Sequence, residues 1–435
     1  MLIAGFDADR LTARIAPLLP AGASVRTLDE IKLPANRLTN TVRYLDRQNF
    51  ATYFVFFRDD GHFGTRLTTL NNWSAYGARN ERVILWQQNS HALAIPAGAM
   101  ALKRMGADAR APIPEAIPAL STVALNVSQV LPGLKWPSQI ELLAGRHVVR
   151  PRNEVTRGKR TRIAHMNVER NDLQADPGIK TLPPQMGRGF ILPFPVLPRA
   201  AYRTTILPTP MSSSTLDMPL RVDIFAPDGA RIAEHYLGLS SRLHCIPRAL
   251  DVVLGAAVLE DGGHAELVYD FRDGGDADGW LHAVFRYEHR MTGHLAESSF
   301  GAHIFNTIMT YKNEPQSYSG PPPGLSAKPF LKLGVAALES YCVLIYPASA
   351  SWHPYSATKL ELYGNAGELL ASKAIQIACS GSVSFYISQQ FERDTLRSAG
   401  EGGYVLIKDT TCRLFGFHGL DDRAGKFSFD HMFGF

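Results

Sequence analysis

Three histidines hold the same place in three related stretches of the chain, and their chemistry is the sharpest the sequence offers. Arg162-Ile163-Ala164-His165-Met166-Asn167-Val168 returns as Phe300-Gly301-Ala302-His303-Ile304-Phe305-Asn306, and again as Phe427-Ser428-Phe429-Asp430-His431-Met432-Phe433. Neutral imidazoles are good ligands for zinc and similar divalent ions, and three of them leave one coordination position open for water. Gathered about a pseudo-threefold axis, His165, His303 and His431 would make a metal-dependent, hydrolase-type site. The simpler reading gives each histidine the same packing and hydrogen-bonding part in its own repeat, because a repeated position implies a repeated structural role before it implies convergence. On that reading no cofactor is expected; a divalent metal such as Zn belongs to the alternative.

Other chemistry-bearing segments are less specific. Glu288-His289-Arg290-Met291-Thr292-Gly293-His294 lacks the helical spacing of a zinc-protease site and reads as a hairpin loop. The acidic run Asp270 to Gly279 does not follow the order of a calcium-binding helix-loop-helix and reads as a solvated turn. Two polar loops each carry a Trp and a Tyr three residues apart, Trp73 with Tyr76 and Trp352 with Tyr355. Amphipathic rings on such loops suit stacking against a sugar face or a partner protein, whereas the structural alternative folds them down as lids over a core. Arg150, Arg152, Arg157, Lys159, Arg160 and Arg162 crowd one hairpin in which Glu154 is the acid, a pattern suited to an acidic polysaccharide or another polyanion. No nucleic-acid fold signature surrounds it, so nucleic acid is not the expected partner. The sequence has no nucleophile elbow, phosphate-binding loop, dinucleotide fingerprint or HExxH pair, which lowers the expectation of catalysis without removing it.

The elements that must carry these residues repeat with them. Leu220 to Phe225 alternates, turns at Pro227-Asp228-Gly229 and resumes at Ala230; Lys359 to Tyr363 does the same through Asn365-Ala366-Gly367 to Glu368. Arg82 to Trp86, the polar turn Gln87 to Ser90, and His91 to Ala94 supply the first repeat's hairpin. Val123 to Gln129 parallels Val383 to Gln389 as a further strand, with Leu243 to Pro247 in the slot of the second repeat. Penultimate strands are read at Gln139 to Leu143, Gly279 to Phe285 and Gly403 to Ile407. Pro- and Gly-rich linkers fall at 176–198 and 314–324.

The predicted fold is therefore all-β: three tandem, diverged antiparallel β-sandwich modules, Ig-like or jelly-roll-like, at 34–175, 190–312 and 327–435, after a short appendage at 1–33 with a helix near Asp9 to Leu19. At 435 residues, 45% hydrophobic and 20% charged with a formal net charge of +5, the chain suits about three globular domains. No apolar stretch is long enough for a membrane span. Cys245, Cys342, Cys379 and Cys412 show no paired spacing and read as free thiols, and the first residues do not resemble a secretion signal, so a cytoplasmic location is expected. The functional expectation is a non-catalytic binding or assembly protein for carbohydrate, a polyanionic surface or a partner protein.

Overall fold

The structure is a computed structural model. It describes residues 2–3, 8–27, 50–57, 64–70, 82–86, 92–96, 100–104, 111–112, 122–130, 132, 138–145, 152–157, 160–165, 167–168, 175–208, 217–240, 247–254, 259–279, 281–301, 304–307, 327–335 and 337–432. The fold is mostly β, built of several antiparallel sheets. The chain divides into two compact units, one of residues 1–159 with 165–172 and the other of 160–164 with 173–435. Among the described residues no helix is long and apolar enough to cross a membrane.

At the start, β1 (Leu2–Ile3) and β2 (Arg26–Thr27) pair in parallel around the helix Ala8–Ile15, which overlaps the predicted helical segment Asp9 to Leu19. The following strands are β3 (Phe50–Phe57), β4 (Gly64–Leu70), β5 (Arg82–Trp86), β6 (Ala92–Pro96), β7 (Met100–Arg104), β8 (Ala111–Pro112), β9 (Thr122–Asn126), β10 (Ser138–Gly145), β11 (Arg152–Arg157), β12 (Arg160–His165) and β13 (Asn167–Val168). They form sheets in the orders β13-β3-β10-β7-β8 and β12-β11-β4-β9, with β5 and β6 as a separate pair.

Residues 173–435 contribute β14 (Ile191–Val196), β15 (Tyr202–Pro208), β16 (Met218–Phe225), β17 (Arg231–Ser240), β18 (Arg248–Ala249), β19 (Gly263–Tyr269), β20 (His282–His289) and β21 (Leu295–Gly301), in sheets β14-β19-β16-β17 and β18-β15-β20-β21. Next come β22 (Phe330–Lys332), β23 (Glu339–Ile345), β24 (Thr358–Tyr363), β25 (Leu369–Ile375), β26 (Ser382–Tyr386), β27 (Tyr404–Lys408), β28 (Phe415–Asp421) and β29 (Asp430–His431), in sheets β22-β27-β24-β25 and β26-β23-β28-β29. Numbered within each set of eight, both pairs of sheets run first-sixth-third-fourth and fifth-second-seventh-eighth. The set β3, β4 and β7 to β12 follows the same order, with β13 added beside β3.

This order corrects three sequence-level equivalences. In the first set, β7 and β8 hold the place that β16 and β17 hold in the second, while the strands of the predicted hairpin at 82–94 pair with each other and, among the described residues, with no other strand. Alternation and a polar turn identify a hairpin without saying which of two successive hairpins joins the sheet. The strand opening near Gly279 is the seventh of its set, so the counterpart of β27 is β19. Finally, Val123 to Gln129 and Val383 to Gln389 are not strand throughout: helical turns at Val127–Val130 and Ile387–Gln389 follow β9 and β26, as Leu250–Leu254 follows β18. The Gln389 side chain accepts from the Tyr386 amide at 2.8 Å, ending the strand by capping the turn.

The two repeated turns are as predicted. Asp228 accepts from the Ala230 amide at 3.0 Å, and Gly229 and Gly367 close the turns at φ of 91° and 82°, where a side chain is strained. His165 ends β12 and His431 ends β29, both eighth strands, so the histidine motif does mark the last strand of its set. His303 lies outside the described residues, as does the linker at 314–324.

Candidate functional site

Within residues 173–435, the two sets of strands share one apolar core. Phe194, Phe285 and Tyr287 of the earlier set are buried together with Phe415, Phe417, Phe427 and Phe429 of the later one. Rings meet across the joint, Tyr202 with Phe427 at 5.0 Å, Tyr287 with Phe429 at 5.0 Å and Phe300 with Phe415 at 4.3 Å. Asn306 fixes it polarly: its amide donates to the carbonyls of Pro347 (2.6 Å) and Arg413 (2.9 Å) and accepts from the Arg413 N–H (2.7 Å).

A buried charge cluster sits on the sheet face away from this core. Asp223 and Glu266 oppose each other across β16 and β19, and both are fully buried. Arg188 pairs with Glu266, lies 3.6 Å from Asp223 and donates to the Ala348 carbonyl at 3.0 Å. Arg221 pairs with Asp223 at 2.7 Å and with Asp270 at 2.9 Å. Burial alone would push the Glu266 carboxyl up, but Arg188 and His264 hold it below the usual carboxylate range. Hydrogen bonds from Arg272 hold Asp270 at about 2 against the effect of burial. Each of the two carboxylates is paired with an arginine that also reaches a neighbouring segment, so the cluster serves to bind segment 187–189 and the 348–350 loop to the sheet.

A second feature is open to ligands. A cavity of about 570 Å³ lies where β21 meets β28, β29 and the segment after β22. Its walls include Leu295, Leu333, Val335, Leu420, Phe427 and Phe429, and its polar groups include Glu297, His418 and Asp430. Glu297 is buried and committed to Arg286 at 2.6 Å. Asp430 and His418 are directly opposed across β28 and β29 and so share one face. Oδ1 of Asp430 accepts from Ser298 Oγ (2.9 Å) and the His431 amide (2.8 Å) and lies 3.1 Å from His431 Nδ1; Oδ2 has no hydrogen-bond partner among the described residues. Burial would raise the Asp430 carboxyl, but His431 and Ser298 outweigh it and hold the group below the carboxylate range. Burial, helped by neighbouring His431, pushes the His418 imidazole down, against the pull of Asp430.

No protein-family model matches the chain, and no curated protein matches it.

The residues named from the sequence fall in different places. Trp352 is half-buried against the core of the last set, and its indole N–H donates to the Thr411 carbonyl at 2.8 Å. Tyr355 points outward with 59% of its surface exposed, on a loop whose backbone bridges to Ala378. Trp73 and Tyr76 lie outside the described residues, as do Arg150 and Lys159; Arg152 opens β11 and Arg160 opens β12. His431 is buried beside Asp430, with its ring 5.1 Å from that of Phe300. Among the described residues no three His, Cys, Asp or Glu side chains are grouped to hold a metal. His289 and His294 flank a hairpin turn, where His289 Nδ1 accepts from the Thr292 amide at 3.3 Å. The acidic run is folded back on arginines through Asp270.

His418, Asp430 and the Asp223–Glu266 pair were not singled out by sequence. One signal existed: the third repeat alone has an acid immediately before its marker histidine, where the others have Ala164 and Ala302.

Proposed function

We propose that this chain is a non-catalytic binding or assembly protein made of three diverged β-sandwich modules joined by Pro-rich linkers, and that its ligand is an acidic carbohydrate. The recurring strand order supports the modular reading. The observation that carries the binding reading is the Tyr355 ring, 59% exposed on a loop pinned at both ends, where the Ser356 amide donates to Ile377 O at 2.8 Å and Trp352 anchors the near side. A ring held outward loses little conformational entropy on stacking against a sugar face. The basic residues Arg150, Arg152, Lys159 and Arg160 supply a separate attraction for carboxylate or sulfate groups. Cys342, Cys379 and Cys412 as free thiols support a reducing compartment such as the cytoplasm.

A glycan array that includes uronate and sulfated chains tests this reading. Tyr355→Ala is expected to weaken binding about 5- to 50-fold, the range for one aromatic stacking contact, and affinity should fall as ionic strength rises. Absence of any glycan ligand, or binding indifferent to Tyr355→Ala, overturns it.

A further inference from the structure

The cavity beside β21 has a chemical character that the carbohydrate reading does not use. Its volume falls in the range that encloses small molecules. Most of its wall is hydrocarbon, a poor surround for a sugar's hydroxyls and a good one for an alkyl or aryl body. Of its two carboxylates, Glu297 is spent on Arg286, so Asp430 is the acceptor left with capacity. Two donors, Ser298 Oγ and the His431 amide, already fix Asp430 through Oδ1, with His431 Nδ1 3.1 Å away, which orients Oδ2 before any ligand arrives. The His418 ring makes no hydrogen bond with the described residues and stands opposite, adding a polar group without opposing charge. Lys332 is exposed at the rim, where solvent screens its ammonium.

We propose that this cavity binds a small apolar amine, its ammonium group paired with Oδ2 of Asp430 and its hydrocarbon body lying along Leu295, Leu420 and Phe427. A charge-assisted ammonium–carboxylate hydrogen bond at this half-exposed side chain distinguishes such a ligand from its uncharged analogue by about 10- to 100-fold in affinity. The apolar body adds affinity without selecting charge.

Calorimetric titration of the full chain with 4-phenylbutylamine, 4-phenylbutanol and 4-phenylbutanoate tests the assignment. The amine should bind one per chain, the alcohol about 10- to 100-fold more weakly and the carboxylate weakest. Asp430→Asn keeps the size of the side chain and an acceptor for Ser298, and should make amine and alcohol bind alike. Leu420→Trp fills the cavity from its half-buried side and should remove binding of all three, with the thermal midpoint of the protein checked in parallel. The proposal is overturned if the alcohol matches the amine, if the carboxylate binds tightest and so makes Lys332 the anchor, if nothing binds at millimolar concentration, or if binding survives Leu420→Trp in a folded protein. Because these probes carry no sugar, their result is independent of the glycan array.

Discussion

Asn306 shows how much one side chain contributes at the joint between the two later strand sets. It adopts φ of 49°, a left-handed conformation that asparagine tolerates better than most residues, and it is almost fully buried while making three hydrogen bonds across the joint. Asn306→Ala removes the amide partner of two carbonyls and an N–H in the interior and keeps the strained backbone, a loss of about 2 to 4 kcal/mol. Urea denaturation reads it directly; a change below about 1 kcal/mol would mean that water replaces the amide. The residue was visible in sequence only as the tail of the second histidine motif. Its role was not visible, because buried polar contacts are set by a partner a hundred residues away. The same holds for Asp223: Leu220 to Phe225 alternates like a half-buried strand, yet Asp223 on the polar side is fully buried, since Arg188 arrives from another segment to cover it.

At the scale of elements, the repeated hairpins were legible because alternation and Asp-Gly or Asn-Ala-Gly turns are local signals. Strand order was less so: β5–β6 and β7–β8 are both acceptable hairpins, and only long-range packing selects the second for the sheet. The two equivalent turns also differ in a way that sequence does not reveal. A methyl group on Gly367 meets nothing within 4 Å, whereas one on Gly229 would come within 2.5 Å of the Cys379 carbonyl. Gly367→Ala should therefore cost about 1 kcal/mol, from its positive φ alone. Gly229→Ala should cost about 2 kcal/mol or more, because the carbonyl it strikes is backbone. Equal costs in guanidinium denaturation would show that the 227–229 turn moves freely away from its neighbour.

Across the whole molecule, acid sensitivity follows from carboxylates that hydrogen bonds and cations hold below their ordinary range. Asp270 is held at about 2, and Glu266 and Asp430 below the usual range, against unfolded values near 4. A carboxyl whose folded pKa is depressed stabilises the fold above its unfolded pKa and loses that contribution as pH falls through the folded value. The thermal midpoint should thus decline modestly as pH falls below about 6.5, where the depressed His418 takes up its proton more readily in the unfolded chain, and should drop steeply between about 4 and 2. A midpoint that holds steady to pH 2 would contradict the ionised state of the Arg188–Glu266 and Arg272–Asp270 pairs. The mostly β, multi-sheet character was approachable from spacing; the shared interior of residues 173–435 was not, since no local pattern marks the rings of one strand set, or Phe427 and Phe429 between β28 and β29, as partners of another set. That shared interior has a consequence during synthesis. Phe194 and Phe285 leave the ribosome long before Phe427 and Phe429, so the earlier strands wait with part of their apolar surface uncovered while more than a hundred further residues are translated.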